Sequence, residues 1–591
     1  MAPKLSMFLA ELKRRKVYQV AITYVVVVFV GLEAVDLLIP STTLPAWADE
    51  LLLAIAIMGF PVALVVAWAF EMTPEGVRRT LFAGQEGEPE VSPERRNQLT
   101  AIVLTALGLL TVTVGWYVVG SGAGGPEVIA RSIAVLPFET LGRQEATTFT
   151  DGVHGDLLTR LSHIADLSVI SRTSVMRYRT LEKPLPSIAA DLGVVWIVHG
   201  EVQETDDQVQ VSARLVNAGT DRQVWAESYR RELTAANLFE IQAEITRQIV
   251  RALESQLSPQ EEQQVDRTPT ENLEAYRLYT QGREQLDQRT EEGMRRALDY
   301  FERTITADPS YALAWVGLAD ALSLLHDYGY AEGASVLPRA EDAVLRALEL
   351  NPESAEAHAS LGLLHSQHHK GPAAVRELTR SVELRPSYAE AHNWLSWVRQ
   401  LLGHRKEGLE SAKRSVELDP LSPEAVSNLS LSYLANGDYE NALAEARRVD
   451  ELQTSWGTGR FYEGLSLFHL GRFAEAITVL ENLAAPWAGS GPLATLALAH
   501  AASGDTAEAR KLLAQIEDSG DSFAAGLVLA ALGEEDEAFD AFQAVSPLSS
   551  WPTLSVHHLY KDVWGPLQHD PRYQELVREV ARDWELEPSG H

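Results

Sequence analysis

The 591-residue chain carries a net charge of −32 and is 46% hydrophobic, so it has enough apolar residues to bury the cores of several domains. The acidic excess argues against a protein that coats nucleic acid, because phosphate binding needs clustered lysine and arginine. The absence of cysteine excludes disulfides, thiolate nucleophiles and cysteine-based metal sites.

Three apolar stretches near the N-terminus each approach the ~20 residues that cross a ~30 Å hydrocarbon core. They cover residues 17–39, 51–70 and 99–119. Basic residues flank the first stretch at Lys13–Lys16, and four more lie between the second and third, at Arg78, Arg79, Arg95 and Arg96. The positive-inside rule therefore predicts a three-pass membrane anchor within residues 1–125. The N-terminus is expected in the cytoplasm and everything after the third span on the other side of the membrane, which in a Gram-negative cell is the periplasm.

This anchor resembles the front end of a large family of bacterial membrane proteins. An ELKRR segment at Glu11–Arg15 leads into the first span, a GFP motif lies at Gly59–Pro61, and a TPEG segment follows at Thr73–Gly76. Members of that family commonly carry a TolB-amino-terminal-like domain and tetratricopeptide repeats behind the anchor. Some relatives also carry an adenylate cyclase or a winged-helix regulator in front of it.

A flexible GSGAGGP segment at residues 120–126 is expected to connect the anchor to a small α/β domain over residues 126–257. Apolar periodicity and turn residues predict strand 132–136, helix 152–162, strand 167–170, helix 187–192, strands 196–204, 208–217 and 223–232, and helix 238–256. Because a helix separates the first two strands, we expect them to be parallel.

The motifs of this stretch resemble those of the TolB-amino-terminal domain, also called the FlgO-type domain. They are IAVLPF at 133–138, DGVHGDLLTRL at 151–161, VISRTS at 169–174, LGVVWIVHGEV at 192–202 and VWAESY at 224–229. The resemblance covers the whole predicted domain. It implies a binding or assembly module of the cell envelope, for which the family indicates no general catalytic residue.

A polar loop follows the second predicted strand and consists of Ser171, Arg172, Thr173 and Ser174. Ligands of α/β sheets usually bind at the carboxyl ends of strands, so the loop is a candidate site for an anion or another small ligand. The alternative is a loop whose hydroxyl groups satisfy local backbone groups.

The titratable side chains of the domain form no recognisable catalytic set. His154 and Asp156 are two residues apart near a helix start, so they point to different faces and do not predict a metal pair. His163 and His199 are the other titratable candidates, and no Ser-His-Asp order, phosphate loop or HExxH motif accompanies them. We predict no catalytic residue, no metal site and no cofactor.

Prolines recur through the second half of the chain at Pro309, Pro352, Pro386 and Pro420, and the last two gaps are each 34 residues. This is the period of the tetratricopeptide repeat. The pattern predicts about eight helix pairs over residues 270–548, stacked in a right-handed solenoid. An inserted loop over Tyr328–Leu337 explains the longer gap before Pro352, and residues 549–591 resemble a closing cap.

The first helices of such repeats line a concave face that binds peptides. The second position of three consecutive repeats is Glu356, Glu390 and Glu424, and the ninth is Leu363, Trp397 and Leu431. An acidic rim around an apolar stripe suits a basic or amphipathic peptide. The alternative is that the glutamates favour the first helical turn, where acidic side chains interact with the helix dipole.

Together these features predict a multidomain chain made of a three-helix transmembrane anchor, a small α/β domain and an all-α tetratricopeptide solenoid. The favoured function is a non-enzymatic inner-membrane scaffold that binds protein or peptide partners in the periplasm and does not bind nucleic acid directly. The alternative is a membrane sensor that couples a periplasmic ligand to a transcriptional or cyclase output on another chain. The oligomeric state does not follow from the sequence.

Overall fold

The computed structural model describes residues 70–73, 76–79, 131–141, 147–179, 183–453, 457–483, 490–544 and 567–583. The chain divides into two compact units, residues 1–122 and 123–591. In the first unit the described residues form an antiparallel strand pair, β1 (Phe70–Thr73) and β2 (Gly76–Arg79). The three predicted spans lie outside the described residues, except that Phe70 begins β1. Of the helices described, none combines the length and apolarity needed to cross a bilayer.

The second unit begins with a mixed sheet. Its strands are β3 (Ser132–Val135), β4 (Glu139–Leu141), β5 (Ser168–Val169), β6 (Trp196–Glu204), β7 (Gln208–Asn217) and β8 (Arg222–Glu232). The strand order is β5-β3-β6-β7-β8, and β4 pairs with β6. The predicted parallel pairing of β3 with β5 is confirmed, and β6, β7 and β8 pair antiparallel in sequence order. The sequence analysis missed β4, which has only three residues.

Within the described residues, five α-helices accompany this sheet: α1 (Thr147–Ser162), α2 (Arg172–Val175), α3 (Leu185–Leu192), α4 (Ala235–Ala252) and α5 (Pro259–Asp266). The alternating apolar residues of the strands and the buried faces of α1 and α4 share one core. Helix α3 ends where predicted, at Gly193, whose φ of 67° lies in the left-handed region that favours glycine. Helix α1 begins five residues before its predicted start at residue 152.

Sixteen helices form eight consecutive pairs within the described part of the array. The pairs are α6 (Leu273–Asp287) with α7 (Glu291–Ala307), α8 (Ala312–Asp327) with α9 (Gly333–Leu350), α10 (Ala355–Gln367) with α11 (Gly371–Leu384), α12 (Ala389–Leu401) with α13 (Arg405–Leu418), α14 (Pro423–Asn436) with α15 (Tyr439–Leu452), α16 (Thr458–His469) with α17 (Phe473–Glu481), α18 (Gly491–Ser503) with α19 (Thr506–Ser519), and α20 (Ser522–Ala531) with α21 (Glu535–Gln543). Successive first helices contact one another, as expected for the inner face of a curved stack.

Small residues allow the helices of each pair to approach closely. A Cβ atom at Gly282 would lie 2.6 Å from the Phe301 ring, and one at Gly317 would lie 2.5 Å from the same ring. Phe301 is fully buried between the first two helix pairs. The same relation recurs between Gly362 and Leu378, Gly464 and Leu480, and Gly526 and Phe542. These contacts explain the small residues that the repeat pattern places in each first helix.

One predicted boundary within the array is corrected by the structure. The insertion in the second repeat is shorter than predicted, because α9 already begins at Gly333 and includes Pro338. The last helix that the structure describes before residue 545 ends at Gln543, and the predicted end of the array at residue 548 lies outside the described residues. Beyond it, the described part of the predicted cap contains α22 (Pro571–Asp583), where Tyr573 packs into the core of the last repeats.

The segment between the sheet and the repeats is ordered. Ser258 begins α5 with a reciprocal capping box, in which its hydroxyl accepts from the Glu261 amide and the Glu261 carboxylate accepts from the Ser258 amide. The buried Arg160 side chain of α1 donates to the carbonyl oxygens of Val265 and, at 2.9 Å, of Arg267. The α/β domain is therefore connected to the repeats by a fixed segment.

Candidate functional site: the face between the α/β domain and the repeats

The first helix of the α/β domain packs directly on the first helix of the repeat array. The fully buried Tyr276 of α6 lies in the core of the α/β domain and donates its hydroxyl to Asp156 of α1 at 2.7 Å. Gln242 of α4 donates to the same carboxylate at 3.2 Å. Burial raises the pKa of Asp156, and these two hydrogen bonds partly offset the increase. One buried polar group thus joins three helices.

A glycine permits this contact between α1 and α6. A Cβ atom at Gly152 would lie 3.0 Å from the Tyr276 hydroxyl and well inside van der Waals contact of the Thr280 methyl group. Nearby, Thr148 donates to Glu284 of α6 at 2.7 Å. The sequence motif DGVHGDLLTRL therefore contains a glycine whose role is contact with the repeats.

Three equivalent positions of the array receive hydrogen bonds from the α/β domain. They are the carbonyl groups of the last residues of α11, α13 and α15, at Leu384, Leu418 and Leu452, each 34 residues after the previous one. His163 Nδ1 lies 3.0 Å from the first, the Ser171 amide donates to the second at 2.7 Å, and Arg177 donates to the third at 3.5 Å.

These carbonyls are natural acceptors. The last carbonyl groups of a helix have no partner within the helix, and the negative end of the helix dipole lies there. Because a carbonyl oxygen can only accept, His163 must carry its proton on Nδ1. Burial lowers the pKa of His163, so its imidazole is neutral at pH 7.

Side chains after α11 add a second set of contacts. Arg385 donates to the Ser162 hydroxyl and forms an ion pair with Glu356 at 3.0 Å. The Ser387 hydroxyl donates to the Leu167 carbonyl at 2.9 Å and accepts from the Val169 amide at 3.2 Å. Ser387 is only 4% exposed, so water does not substitute for these partners.

The predicted polar loop occupies the same face. Ser171 caps the single turn α2 by accepting from the Ser174 amide, which agrees with the local role considered as the alternative. The Ser174 hydroxyl also donates to Asp419 at 2.5 Å and accepts from the Leu421 amide at 2.9 Å. Ser171 and Ser174 therefore both contact the repeats.

The other two residues of the loop are Arg172, which has partners within the chain, and Thr173, which has its side chain in solvent. Arg172 forms an ion pair with Asp287 at the end of α6, at 3.2 Å, and donates to the Asp151 carbonyl at 3.3 Å. Thr173 is exposed. Ser171, Arg172 and Ser174 thus make intramolecular contacts, and binding of a small ligand at this loop stays a prediction.

The six predicted groove residues do not form one open groove. Glu356 pairs with Arg385, and Leu363 is 5% exposed. Burial would raise the pKa of Glu356, but the adjacent Arg385 guanidinium and local hydrogen bonds outweigh burial, so the pKa is lowered. This carboxylate therefore belongs to the contact with the α/β domain and is not an open rim residue.

The remaining groove positions lie further along the array. Glu390 pairs with Arg289 of the first repeat at 2.9 Å, which closes part of the concave face. Trp397 and Leu431 are half-buried, and Glu424 is exposed. Tyr328 is 45% exposed, and partial burial, with smaller effects from the Glu424 and Glu390 carboxylates, raises its pKa. We call Tyr328, Trp397, Glu424 and Leu431 the aromatic–acidic patch.

The buried face also contains a second charged pair and an isolated histidine. Arg283 lies 3.5 Å from Asp320, which accepts from the Ser360 hydroxyl. His154 is fully buried, and its Nε2 donates to the Val135 carbonyl at 2.8 Å. Burial, with a smaller effect from Arg172, lowers the pKa of His154 to about 4, so it is neutral. His154 and Asp156 have different partners, as the spacing predicted.

Arg385 and Ser387 were missed by the sequence analysis, although one signal pointed to Arg385. The residue before the repeat proline is Asp308, Asn351, Arg385 and Asp419 in successive repeats. The other three repeats have a short polar residue at this position, so the arginine departs from the pattern of the repeats. Its partner, Ser162, could not be deduced because it lies 223 residues away.

Two buried carboxyl groups make the stability of this unit dependent on pH. Burial raises the pKa values of Asp419 and Asp320 from 3.8 to about 6. Between those values the folded chain keeps protons that the unfolded chain has released, so this stabilisation is complete below pH 3.8 and is lost as the pH rises through about 6.

Lowering the pH from 7.5 to 5 should add about 1 kcal/mol of stability for each carboxyl group, while the buried neutral His154 and His163, whose pKa values are lowered, act in the opposite direction. Asp419→Asn keeps an acceptor for Ser174 but cannot titrate, so in calorimetry of the purified chain the stability of wild type relative to this variant should rise by about 1 kcal/mol between pH 7.5 and pH 5. Asp299→Asn, which changes an exposed carboxylate on α7, is the control and should leave the pH dependence of stability unchanged. Equal slopes for wild type and Asp419→Asn would contradict this assignment.

Comparison with known proteins supports the repeat assignment. The family model for the tetratricopeptide repeat matches residues 402–455, which include the whole of α13, α14 and α15. The match and the observed helix pairs show that this array consists of tetratricopeptide repeats.

One similar curated protein is the "Putative adenylate cyclase 3" of Rhizobium meliloti (strain 1021). It is 32% identical over 196 residues, which are 33% of this chain and 33% of that protein. The chain therefore matches about a third of the length of this relative.

Several solved structures of repeat proteins are similar to part of the chain. YrrB, described as a TPR protein with an unusual peptide-binding site, is 20% identical, with 31% of this chain and 90% of YrrB covered and a TM-score of 0.26. PilW, described as a widely conserved type IV pilus biogenesis factor, is 18% identical, with coverages of 36% and 93% and a TM-score of 0.31. Pseudomonas aeruginosa pilF is 17% identical, with coverages of 40% and 98% and a TM-score of 0.30.

Proposed function

We propose that the chain is a non-catalytic scaffold that is anchored in a bacterial inner membrane and binds a partner protein through its repeats. The observation that carries the proposal is the array of eight helix pairs in the described residues, on which the aromatic–acidic patch remains accessible. Stacked helix pairs offer an extended binding surface without any need for chemical groups that react. The three apolar N-terminal stretches supply the proposed anchor.

The partner proposed for the patch is a basic, amphipathic segment of a protein. Half-buried Trp397 and Leu431 offer apolar contact, and the exposed Glu424 carboxylate offers a charge for lysine or arginine. The exposed Tyr328 ring can add a cation–π contact. The other predicted rim glutamates, Glu356 and Glu390, are held by Arg385 and Arg289, which narrows the predicted groove to this patch.

Peptide binding to the purified full chain in detergent tests this proposal. The probe is a fluorescein-labelled amphipathic peptide of lysine and leucine. We expect Trp397→Ala and Glu424→Lys each to weaken binding about tenfold at low ionic strength, because a hydrophobic anchor and a charge pair are removed. Glu451→Lys places the same charge change at an exposed position of α15 and should have little effect.

The proposal fails if the wild-type chain does not bind this probe, or if Glu424→Lys and Glu451→Lys weaken binding equally. The first outcome would exclude a basic, amphipathic segment as the partner of the patch. The second would mean that the peptide responds only to the net charge of −32 and does not recognise the patch.

The proposed location of the repeats is the periplasm. The basic residues flanking the apolar stretches support this orientation. Reporter fusions at Gln85 and Val128 test it, since alkaline phosphatase should be active only at Val128 and a cytoplasmic fluorescent reporter only at Gln85. The opposite pattern would place the repeats in the cytoplasm and leave the peptide-binding proposal intact.

A second function, in which the chain senses a periplasmic ligand and controls a cyclase or transcription factor on another chain, is favoured by one observation. The relative named as an adenylate cyclase is 32% identical to this chain over 196 residues. Removing Arg78, Arg79, Arg95 and Arg96 from the second loop separates the two functions, with the membrane content of the protein measured as a control. A change in global transcription at unchanged membrane content would favour the sensor.

A further inference from the structure

The contact between the α/β domain and the repeats has two chemically different parts. At the first repeat, Tyr276 packs against the rings of Phe149 and Phe239, with ring centroids 6.2 and 5.4 Å away. These side chains are buried in the main core of the α/β domain. Separating them would expose large aromatic surfaces to water, at about 25 cal/mol per Å². We call this part the hinge.

The part at the third to fifth repeats is mainly polar. It consists of the helix-end carbonyls of Leu384, Leu418 and Leu452 and the side chains of Arg385, Ser387 and Asp419, with their partners in residues 162–177. We call this set the latch. Leu421 is the apolar side chain of these loops that packs on the core of the α/β domain.

When the latch opens, water can form hydrogen bonds with most of the groups that it exposes. Water cannot replace the aromatic contacts of the hinge in this way. A hydrogen bond exchanged for one to water changes the free energy by only about 0.5–1.5 kcal/mol, because both states keep a partner. The repeats of a solenoid touch only their neighbours, so a small change in curvature can separate the third to fifth repeats from the domain while the first repeat stays in place.

From these features we infer that the latch opens and closes as a unit while the hinge remains packed, so that the α/β domain reversibly covers one edge of the third to fifth repeats. Opening uncovers three helix-end carbonyl groups and the Asp419 carboxylate without unfolding either part. The chain then has a closed and an open state, and any partner that contacts this edge selects the open state. This inference does not depend on binding at the aromatic–acidic patch.

The repeats supply a matched pair of serines for a test. Ser387 follows the proline of its repeat and lies in the latch, and Ser310 follows the equivalent proline of an earlier repeat and is exposed. The Ser387 hydroxyl has two partners in the α/β domain, whereas the Ser310 hydroxyl donates to Asp308 within its own loop. Ser387→Ala therefore weakens the latch, and Ser310→Ala is the control.

Hydrogen–deuterium exchange of the full chain in lipid nanodiscs measures the opening. The reporter is the Ser171 amide, which donates to Leu418 in a different repeat from Ser387. If the latch opens as a unit, Ser387→Ala should accelerate exchange of the segment containing Ser171 about tenfold, since the buried Val169 amide loses its acceptor in the closed state. Peptides from α6 should exchange at the wild-type rate, and Ser310→Ala should change neither.

Two results would overturn the inference. Unchanged exchange at Ser171 in Ser387→Ala would show that the contacts of the latch break independently. Equal acceleration in α6 would show that the hinge opens with the latch, so that no separate open state exists.

Discussion

Replacing Tyr276 with alanine is expected to lower the free energy of unfolding of the 123–591 unit by about 3–5 kcal/mol. The side chain is fully buried and packs edge-on against Phe149 and Phe239. Its loss creates a cavity where α1, α4 and α6 meet, and it removes a donor from the buried Asp156 carboxyl group. Both effects act on the contact that joins the α/β domain to the repeats.

Tyr276→Phe separates these two effects, because it keeps the ring and removes only the hydroxyl. We expect it to lower the free energy of unfolding by about 1–3 kcal/mol, the cost of removing a hydrogen-bond partner from a buried polar group. Tyr330→Ala removes a tyrosine that is 39% exposed and should change stability by less than about 1 kcal/mol. Chemical denaturation followed by tryptophan fluorescence measures all three. If Tyr276→Ala and Tyr330→Ala had similar effects, the aromatic contact at Tyr276 would not exist.

Gly152→Ala is expected to destabilise the same unit by about 2–3 kcal/mol. The new methyl group would overlap Thr280 and touch the Tyr276 hydroxyl, and neither backbone can retreat without disturbing the packing of α1 on α6. Without this contact, substituting alanine for glycine inside a helix should raise stability. A decrease in stability would therefore indicate the steric contact.

Gly155 provides the matched control on the same helix. A Cβ atom at Gly155 would have its nearest tertiary neighbour, the Arg172 guanidinium, at 3.9 Å, which is an ordinary van der Waals distance. Gly155→Ala should therefore leave stability unchanged or raise it by up to about 1 kcal/mol. Thermal unfolding of the two variants side by side compares the positions. Stabilisation by Gly152→Ala would mean that α1 and α6 are not in contact.

Local patterns predicted the elements of the α/β domain and the repeats. The alternation of apolar residues predicted the first and last residues of β6 and β7 correctly, because a period of two identifies both the strand and its buried face. The 34-residue proline spacing predicted the helix pairs, since each repeat forms the same local structure. Strand β4 was missed because three residues carry no measurable alternation.

The contact between the two parts could not be predicted from such patterns. Glu356 occupies the second position of its repeat, which predicts a place on the concave face but not the Arg385 side chain that neutralises it. Ser174 and Asp419 are 245 residues apart, and no periodicity relates them. The predicted flexible connection at residues 120–126 lies outside the described residues, whereas the segment at 258–267 is held by Arg160.

The docking of the α/β domain on the repeats is the central claim, and an intramolecular distance tests it most directly. Because the chain has no cysteine, Ala226→Cys on the exposed strand β8 and Glu410→Cys on the exposed side of α13 give two unique positions for spin labels. Pulsed electron–electron double resonance of the full chain in nanodiscs measures the distance between the two labels. The distance distribution should have one dominant narrow peak, which represents the docked arrangement. A single broad distribution, as expected for two domains joined by a flexible linker, would contradict the account.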